Sequence, residues 1–444
     1  MIDISPELVT ILMLGGVLVG VLIGYPLAIP VGALGLIFGF LLYGVPVFDL
    51  VYARLFKLIN NYALLAVPLF VFMGVMLERS GIAEKMYDAL YLWLAGLRGG
   101  LAMITVLVGT ILAACVGIIG ASVSMLALLA LPSMLRRGYS KSLASGAVCA
   151  GGSLGILIPP SIMLVIYGPM ANISVGKLFM GAFIPGFVLS GLYITYIAIR
   201  CYLQPSIAPA VPVEERTVPF MKKTAMLATS LVPPGILVLA VLGSIFFGIA
   251  PPTEAAAVGA FAATLLTVAY RRFSFGVLKA TATQTLMVTS MILLIGGLSF
   301  VFVGVFIPAG GGKVIKELIL AAPGGRWGAF VMIMFIMFLL GFFIDWIGIV
   351  FIMIPILSPI APELGFDPVW FALMICVNLQ MSFMTPPFAP AIFYLRGSAP
   401  PELGVTMGDI IRGVFPFVGL IIIGLSLCVA FPQIILWLPA QMIK

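Results

Sequence analysis

The sequence Gly151-Gly-Ser-Leu-Gly-Ile-Leu-Ile-Pro-Pro-Ser161 interrupts an apolar stretch, and Asn378-Leu-Gln-Met-Ser-Phe-Met-Thr-Pro-Pro-Phe388 interrupts another one 227 residues later. The same offset holds without a gap from residue 32 to residue 167. Glycine, proline and tyrosine rarely keep one register by chance, so we infer an internal duplication. The offset aligns Gly32-Ala33 with Gly259-Ala260, Tyr43 with Tyr270, Pro132 with Pro359, Gly138 with Gly365, and Tyr167 with Tyr394.

The two copies are predicted at residues 1–203 and 224–444, joined by a linker at 204–223. This linker is the only long polar stretch and contains four prolines. Such a composition is typical of a connecting loop rather than a buried element. The charge distribution described below predicts a cytoplasmic position for it.

Composition places the chain in a membrane. It is 63% hydrophobic and 8% charged, with a mean hydropathy of +1.28, whereas a soluble domain has about 25% charged residues. The net charge of +7 includes no basic cluster large enough for nucleic-acid binding. The five cysteines have no metal-site spacing and are interpreted as small core residues. They are Cys115, Cys149, Cys201, Cys376 and Cys428.

Equivalent loops of the two copies carry opposite charge, which predicts inverted repeats. The loop around Gly138 is basic, and the equivalent loop around Gly365 is acidic. The residues concerned are Arg136, Arg137 and Lys141 in the first loop, and Glu363 and Asp367 in the second. Since Lys and Arg accumulate in cytoplasmic loops, the two loops should lie on opposite sides of the membrane.

Inversion requires an odd number of crossings in each repeat, and five apolar spans fit each half. The stretches 100–135 and 327–360, with polar residues at their centres, are predicted to be re-entrant hairpins; two full spans each would keep the same parity. The predicted fold class is therefore an all-α polytopic membrane protein of two inverted repeats. The predicted spans are 7–24, 27–44, 55–77, 142–169, 178–200, 230–249, 254–270, 283–307, 368–396 and 412–438.

An external N-terminus puts most of the 22 Lys and Arg residues on the cytoplasmic side. The segment 80–98 and the short segment that contains Lys313, Lys316 and Arg326 are interpreted as amphipathic helices at the interface. Seven basic residues fall outside: Arg54, Lys57, Lys177, Lys313, Lys316, Arg326 and Lys444.

Four breaks in apolar helices predict where solute binds: the two hairpin tips and the two broken helices, 142–169 and 368–396. Irregular backbone at membrane depth is tolerated where it lines a cavity or is buried in protein. Proline also frees carbonyl groups upstream, and with Ser or Thr hydroxyls these suit an alkali cation, while a half-helix N-terminus suits a carboxylate. The predicted breaks in the helices are at Pro159, Pro160, Pro386 and Pro387.

Asp345 is the most informative single residue, because an acid within a long apolar stretch is costly unless it is paired or solvated. The functional interpretation is a cation ligand at the second hairpin tip. The structural alternative is an N-cap for a helix that begins at Trp346. Both readings are open at this point.

Several motifs resemble the large membrane subunit of TRAP transporters, the tripartite ATP-independent periplasmic class (DctM family). The resemblance runs from about residue 8 to the C-terminus. The motifs are Gly120-Ala-Ser-Val-Ser124, Ala130-Leu-Pro-Ser-Met-Leu-Arg-Arg-Gly-Tyr139, Ile156-Leu-Ile-Pro-Pro-Ser-Ile162, Asn378-Leu-Gln380, Thr385-Pro-Pro-Phe388 and Phe393-Tyr-Leu-Arg-Gly397.

This resemblance implies sodium-coupled import of an organic anion, usually a carboxylate and here a keto or hydroxy acid among the candidates. It implies an elevator movement of a transport domain against a scaffold, with Na⁺ as coupling ion and no other cofactor. It also implies a bacterial inner-membrane location and two partners, a small four-helix membrane subunit and a soluble periplasmic substrate-binding protein.

The resemblance also implies site residues at the tips and breaks. One sodium site would lie around Ser122, Ser124, Gly152 and Ser153, and a second around Asp345, Gly348, Thr385 and Pro386. Many relatives carry an acid a few residues beyond the first tip, where this chain has Met125 and Leu126, so no charged ligand is expected there. Some relatives have Glu at the position of Gly348. The candidate substrate contacts are Ser161, Asn378 and Gln380.

Other functions fit less well. A stand-alone sodium-coupled anion symporter with the same inverted hairpins is the main alternative, because the partners lie on other chains. A membrane-embedded enzyme is disfavoured, since the sequence has no His, no zinc spacing, and no Ser or Cys beside a plausible base. A channel would require a continuous polar stripe rather than separate polar islands.

Overall fold

The computed structural model describes residues 4–94, 96–212 and 218–442, without the side chains of residues 113–116. Regular secondary structure in these residues is entirely helical. Short 3-10 turns lie at Tyr62–Leu65, Leu154–Ile156, Pro205–Ile207 and Pro401–Leu403. The α-helices are α1 Pro6–Ile23, α2 Ala28–Tyr43, α3 Val47–Ile59, α4 Ala66–Arg79, α5 Ile82–Leu94, α6 Gly100–Val116, α7 Ile119–Arg136, α8 Lys141–Ser153, α9 Ile162–Ala171, α10 Val175–Leu203, α11 Phe220–Phe246, α12 Pro252–Ala269, α13 Phe275–Phe306, α14 Gly311–Leu320, α15 Gly325–Leu340, α16 Trp346–Leu357, α17 Ile360–Glu363, α18 Pro368–Met384, α19 Pro390–Ser398, α20 Met407–Ala430 and α21 Gln433–Ala440.

Local sequence explains many of the helix ends. The Ser5 side chain accepts a hydrogen bond from the Leu8 N–H at the start of α1, and Gly24 in the left-handed region ends that helix. Thr406 and Asp409 form a capping box at the start of α20. Caps of this kind satisfy N–H groups that the first helical turn leaves free.

The duplication is confirmed helix by helix, and with it the all-α polytopic fold. Adding 227 to Lys141, the first residue of α8, gives Pro368, the first residue of α18. The same shift takes Ile119 of α7 to Trp346 of α16. The predicted hairpins and broken helices correspond to α6–α7, α15–α16, α8–α9 and α18–α19.

The repeats pack reciprocally. Helix α2 packs on α13, and helix α12 packs on α4. The 227-residue shift takes α2 to α12 and α4 to the second half of α13, so the two interfaces are equivalent. Both interfaces use an equivalent glycine. A Cβ at Gly32 would lie 2.8 Å from Leu298 Cδ2, and one at Gly259 would lie 2.6 Å from Met73 Sδ. Exchanging the repeats thus exchanges the interfaces, as a pseudo-two-fold relation requires.

The hairpins and the broken helices also contact each other across the two repeats. Helix α7 packs on α19, and the equivalent pair, α16 and α9, pack on each other. Each hairpin therefore contacts the second half of the broken helix from the other repeat. This arrangement brings the four breaks into one central region.

Two predicted spans are wrong in their limits. The span 55–77 is interrupted, because α3 ends at Ile59 and the Asn61 side chain accepts from the Ala63 N–H to start a new turn leading into α4. Its equivalent, α13, is one helix of 32 residues. The span 412–438 ends early, since α20 stops at Ala430 and Pro432 precedes α21.

Eight helical segments of the described residues are long and apolar enough to cross a membrane. They are Pro6–Ile23, Tyr62–Arg79, Ile119–Arg136, Val175–Leu203, Phe220–Phe246, Pro252–Ala269, Phe275–Phe306 and Met407–Ala430. Helix α16 has 12 residues and rises about 18 Å, less than the roughly 30 Å hydrocarbon core, so it cannot cross alone. Helix α7 is long enough to do so, and both readings of the first hairpin fit.

The four cysteines with described side chains, Cys149, Cys201, Cys376 and Cys428, are buried and free. This confirms their interpretation as core residues. The side chain of Cys115 lies outside the described residues, as do linker residues 213–217.

Candidate functional site

The first hairpin tip lies against the break in the broken helix of its own repeat. Gly117, with φ +64°, and the extended residue Ile118 separate α6 from α7. A Cβ at Gly117 would lie 3.5 Å from the Pro160 carbonyl oxygen and 3.6 Å from the Ile162 nitrogen. The tip therefore meets the chain where the α8–α9 helix is interrupted.

The residues of the first predicted sodium site lie together. A Cβ at Gly152 would stand 2.9 Å from Val123 Cα, so α8 lies directly against the segment from Ser122 to Ser124. Ser122 is fully buried, and its hydroxyl has no hydrogen-bond partner among the described residues. The Ser398 hydroxyl donates to Ser124 Oγ at 2.8 Å. Ser122 thus offers a free buried oxygen at this tip.

Ser153 connects the first predicted site to the second. The Ser153 hydroxyl donates to the Ala150 carbonyl at 3.0 Å and lies 3.8 Å from Met384 Sδ. Met384 directly precedes Thr385, a residue of the second predicted site. Thr385 Oγ1 donates to the Met381 carbonyl at 2.8 Å. The two groups of residues therefore meet where the two broken helices pass each other.

Asp345 occupies the N-cap position of α16. Its carboxylate is near the N–H groups of Trp346 and Ile347, although it makes no capping hydrogen bond of regular geometry. It is also within electrostatic range of the Tyr394 hydroxyl. The Tyr394 ring in turn lies 3.0 Å from the Cβ position of Gly120. Tyr394 therefore connects Asp345 at the second tip with Gly120 at the start of α7.

Gly348 lies in apolar surroundings, unlike the other residues of the second predicted sodium site. A Cβ there would overlap the Leu27 side chain, at 2.0 Å from Cδ2. Gly348 also lines an apolar cavity of ≈170 Å³ between α1, α14, α15 and α16. Its side-chain position therefore faces hydrocarbon, which leaves only its backbone for a cation.

The three candidate substrate contacts differ in how free they are. The Asn378 amide donates to the Met334 carbonyl at 2.8 Å, and the Ser161 hydroxyl donates to the Ile156 carbonyl. Gln380 is fully buried, and neither amide atom has a partner among the described residues. A buried amide without partners is costly, so Gln380 is the best placed of the three to bind a ligand.

The breaks themselves are where the sequence predicts them. Pro159 and Pro160 lie between α8 and α9, and Pro386 and Pro387 between α18 and α19. Each Pro-Pro bond is cis. Sequence reasoning missed Ser398 and Tyr394 as neighbours of the site, although Tyr394 was aligned with Tyr167 by the repeat.

Around the tips, the described residues offer a carboxylate and several hydroxyls, together with the Met384 thioether and the Gln380 amide. Oxygen ligands of this kind suit hard cations, and unwound backbone in transporters coordinates Na⁺. The N-termini of α7, α9 and α16 have no side-chain cap hydrogen bond, and N–H groups at such helix ends suit a carboxylate.

Comparison with known proteins identifies relatives along the whole chain. The family described as "Tripartite ATP-independent periplasmic transporter, DctM component" matches residues 14–434. The C4-dicarboxylate TRAP transporter large permease protein DctM of Vibrio cholerae is 30% identical, covering 97% of both chains. Its namesake from Pseudomonas aeruginosa is 30% identical over 87% of this chain and 88% of that one.

The fold is also similar to a solved transporter structure. The Alcanivorax borkumensis YdaH transporter aligns with a TM-score of 0.65 over 96% of this chain and 99% of its own. Sequence identity there is 16%, so the likeness concerns the fold alone.

Proposed function

The chain belongs to the DctM family and is the large permease subunit of a TRAP transporter, and from this premise we propose that it imports an organic carboxylate together with sodium. The transported solute is an organic acid anion, with C4-dicarboxylates first among the candidates because the two relatives are named for them. Keto and hydroxy acids share the same carboxylate chemistry.

The observation that carries sodium coupling is the free hydroxyl of Ser122. It is fully buried beside Gly152 and has no protein partner among the described residues. An unsatisfied buried hydroxyl costs about 1–3 kcal/mol, so a ligand that satisfies it contributes stability. Unwound backbone beside hydroxyl oxygens coordinates Na⁺ in transporters, and Asp345 on the second tip would supply a negative charge for the second predicted site.

Partners and location follow from the family. The word "tripartite" in the family description supports two further components, a small four-helix membrane subunit and a periplasmic substrate-binding protein. A periplasmic component requires the permease to lie in the bacterial inner membrane, with its N-terminus periplasmic under the predicted topology.

An elevator movement is supported by how the elements are grouped. The hairpins and broken helices pack on one another across the repeats. Helices α2, α4, α12 and α13 form a second group, which meets the first through the α13–α16 and α4–α6 contacts. We assign the first group to a moving transport domain and the second to a scaffold. The cations and the carboxylate would then travel with the tips.

Reconstitution into liposomes tests the function. The chain, its small subunit and its binding protein should take up radiolabelled succinate when an inward sodium gradient is imposed, and not with a potassium gradient. Uptake by the chain alone, without the binding protein, would overturn the tripartite assignment. Equal uptake in sodium and potassium would overturn sodium coupling.

A cross-link tests whether the second hairpin moves relative to α14 during transport. Lys316 Nζ on α14 lies 2.7 Å from Glu363 Oε2 at the end of the second hairpin. Cysteines at both positions, joined by a short bifunctional thiosulfonate, should stop uptake if the hairpin moves past α14. The control joins Lys313→Cys to Glu317→Cys, a pair within α14. Unchanged uptake after the first cross-link would exclude relative movement at this contact.

A further inference from the structure

A large cavity lies away from the predicted sodium sites. It has a volume of ≈980 Å³ and is bounded by α3, α9, α13, α16 and the loop before α12. Every loop around it is external in the predicted topology. Its polar and charged lining residues are Arg54, Lys57, Asn61, Tyr62, Asn172, Ser174, Thr253 and Ser358.

The charges of this cavity are all positive. Arg54 and Lys57 are one helical turn apart on α3, and no Asp or Glu of the described residues lines the cavity. Neither basic side chain has an ion-pair or hydrogen-bond partner among residues 4–94, 96–212 and 218–442. Two unpaired cations in a concave site raise the local concentration of anions.

Arg54 is held at the cavity by a glycine. A Cβ at Gly304 would lie 2.8 Å from Arg54 Nε and 3.2 Å from its Cγ, so the arginine stem lies flat on the α13 backbone. This contact restricts the arginine stem and lowers the entropy that binding would cost.

A neutral group completes the site. Thr253 lines the same cavity, is only 6% exposed, and its hydroxyl has no partner among the described residues. A buried hydroxyl of this kind can donate to an anion oxygen. The Thr253 hydroxyl therefore supports an anion site independently of the two positive charges.

Membrane orientation does not account for Arg54 and Lys57. Basic residues accumulate on the cytoplasmic side, and these two lie on the other side in the predicted topology. Of the seven basic residues predicted on that side, these are the two that line the cavity among the described residues.

We infer that Arg54, Lys57 and Thr253 form an anion-receiving site at the periplasmic mouth of the cavity. It takes a carboxylate from solution or from the binding protein, before the solute reaches the helix breaks. The identity of the physiological ligand rests on the proposed function. The preference of the site for anions does not depend on it.

Thiol labelling tests the site without transport. Lys57→Cys should react faster with a sulfonated methanethiosulfonate than with a neutral one of similar size, because Arg54 attracts the anion. Adding Arg54→Gln should lower this ratio about three-fold, the scale expected for removing one nearby exposed charge. Succinate should slow the anionic reagent and leave the neutral one unchanged.

Lys177→Gln is the matched control, since Lys177 is an exposed base on the same predicted face that does not line the cavity. It should leave the ratio unchanged. Equal effects of Arg54→Gln and Lys177→Gln, or no protection by succinate, would overturn the site. The neutral reagent reports whether each variant is folded and accessible.

The two proposals can fail separately. Anion preference and succinate protection in a chain that shows no sodium-driven uptake would keep the site and reject the sodium-coupled function. Normal sodium-driven uptake without anion preference at residue 57 would reject the site and keep the function.

Discussion

Ser153 Oγ lies 3.8 Å from Met384 Sδ, although 231 residues separate them in sequence. Each residue stands just before the break in its own broken helix. The contact shows that the two breaks are neighbours, so cations at the two predicted sites would lie close enough to interact through their charges.

The first prediction concerns Ser122, whose buried hydroxyl has no partner among the described residues. Ser122→Ala should remove most of the rise in melting temperature that sodium causes, because a ligand oxygen is lost. Stability without sodium should not fall, since an unsatisfied polar group is also lost. Melting curves in sodium and in choline, followed with a thiol-reactive dye that detects the buried cysteines, measure both effects.

Ser145→Ala is the control for Ser122. Ser145 is also fully buried with an unpartnered hydroxyl, on α8 but outside the predicted site. Its replacement should leave sodium stabilisation intact. If both variants keep the sodium response, Ser122 is not a ligand.

The second prediction compares two aspartates at helix N-termini. Asp345→Ala should weaken the sodium dependence of uptake far more than it reduces folding. Asp367→Ala should do the reverse, because the Asp367 carboxylate accepts from the N–H groups of Val369 and Trp370 at 2.8 and 3.0 Å. Loss of such a cap costs about 1 kcal/mol. A wild-type sodium curve for Asp345→Ala would assign that residue a capping role only.

The third prediction concerns the close approach at Gly152. A Cβ there would be 2.5 Å from Val123 Cγ2 and 2.9 Å from Val123 Cα, so Gly152→Ala must separate α7 from α8. We expect a loss of about 1–3 kcal/mol and a lower melting temperature. Gly191→Ala, where nothing lies within 4 Å of the new Cβ, should be close to neutral. Equal melting temperatures for the two variants would contradict the packing described here.

Glycine and proline made much of this fold predictable from sequence. They determine local backbone geometry whatever packs around them, so the two Pro-Pro breaks and the tip at Gly117 could be located directly. Asn60 and Asn61 carried a similar signal within an apolar stretch. The prediction of one span at 55–77 did not use this signal, and the equivalent residues in α13 continue the helix without a break.

The contacts of the site were less accessible to sequence reasoning. Ser124 and Ser398 are hydrogen-bonded across 274 residues, and this pairing depends on α7 crossing to the opposite repeat. No local pattern encodes that exchange. The apolar surroundings of Gly348 likewise depend on Leu27, which lies in a loop of the other repeat.

The last prediction tests inversion with one pair of equivalent residues. Arg136 and Glu363 are 227 positions apart, both exposed, and each ends a helix of its hairpin region. If the repeats are inverted, a single cysteine at Arg136 should react with a membrane-impermeant maleimide only in inside-out vesicles. One at Glu363 should react only in right-side-out vesicles. The buried native cysteines give a low background, and detergent should make both sites reactive. Labelling of both cysteines from the same side would mean parallel repeats, and the opposite charges of the two loops would then need an explanation other than membrane orientation.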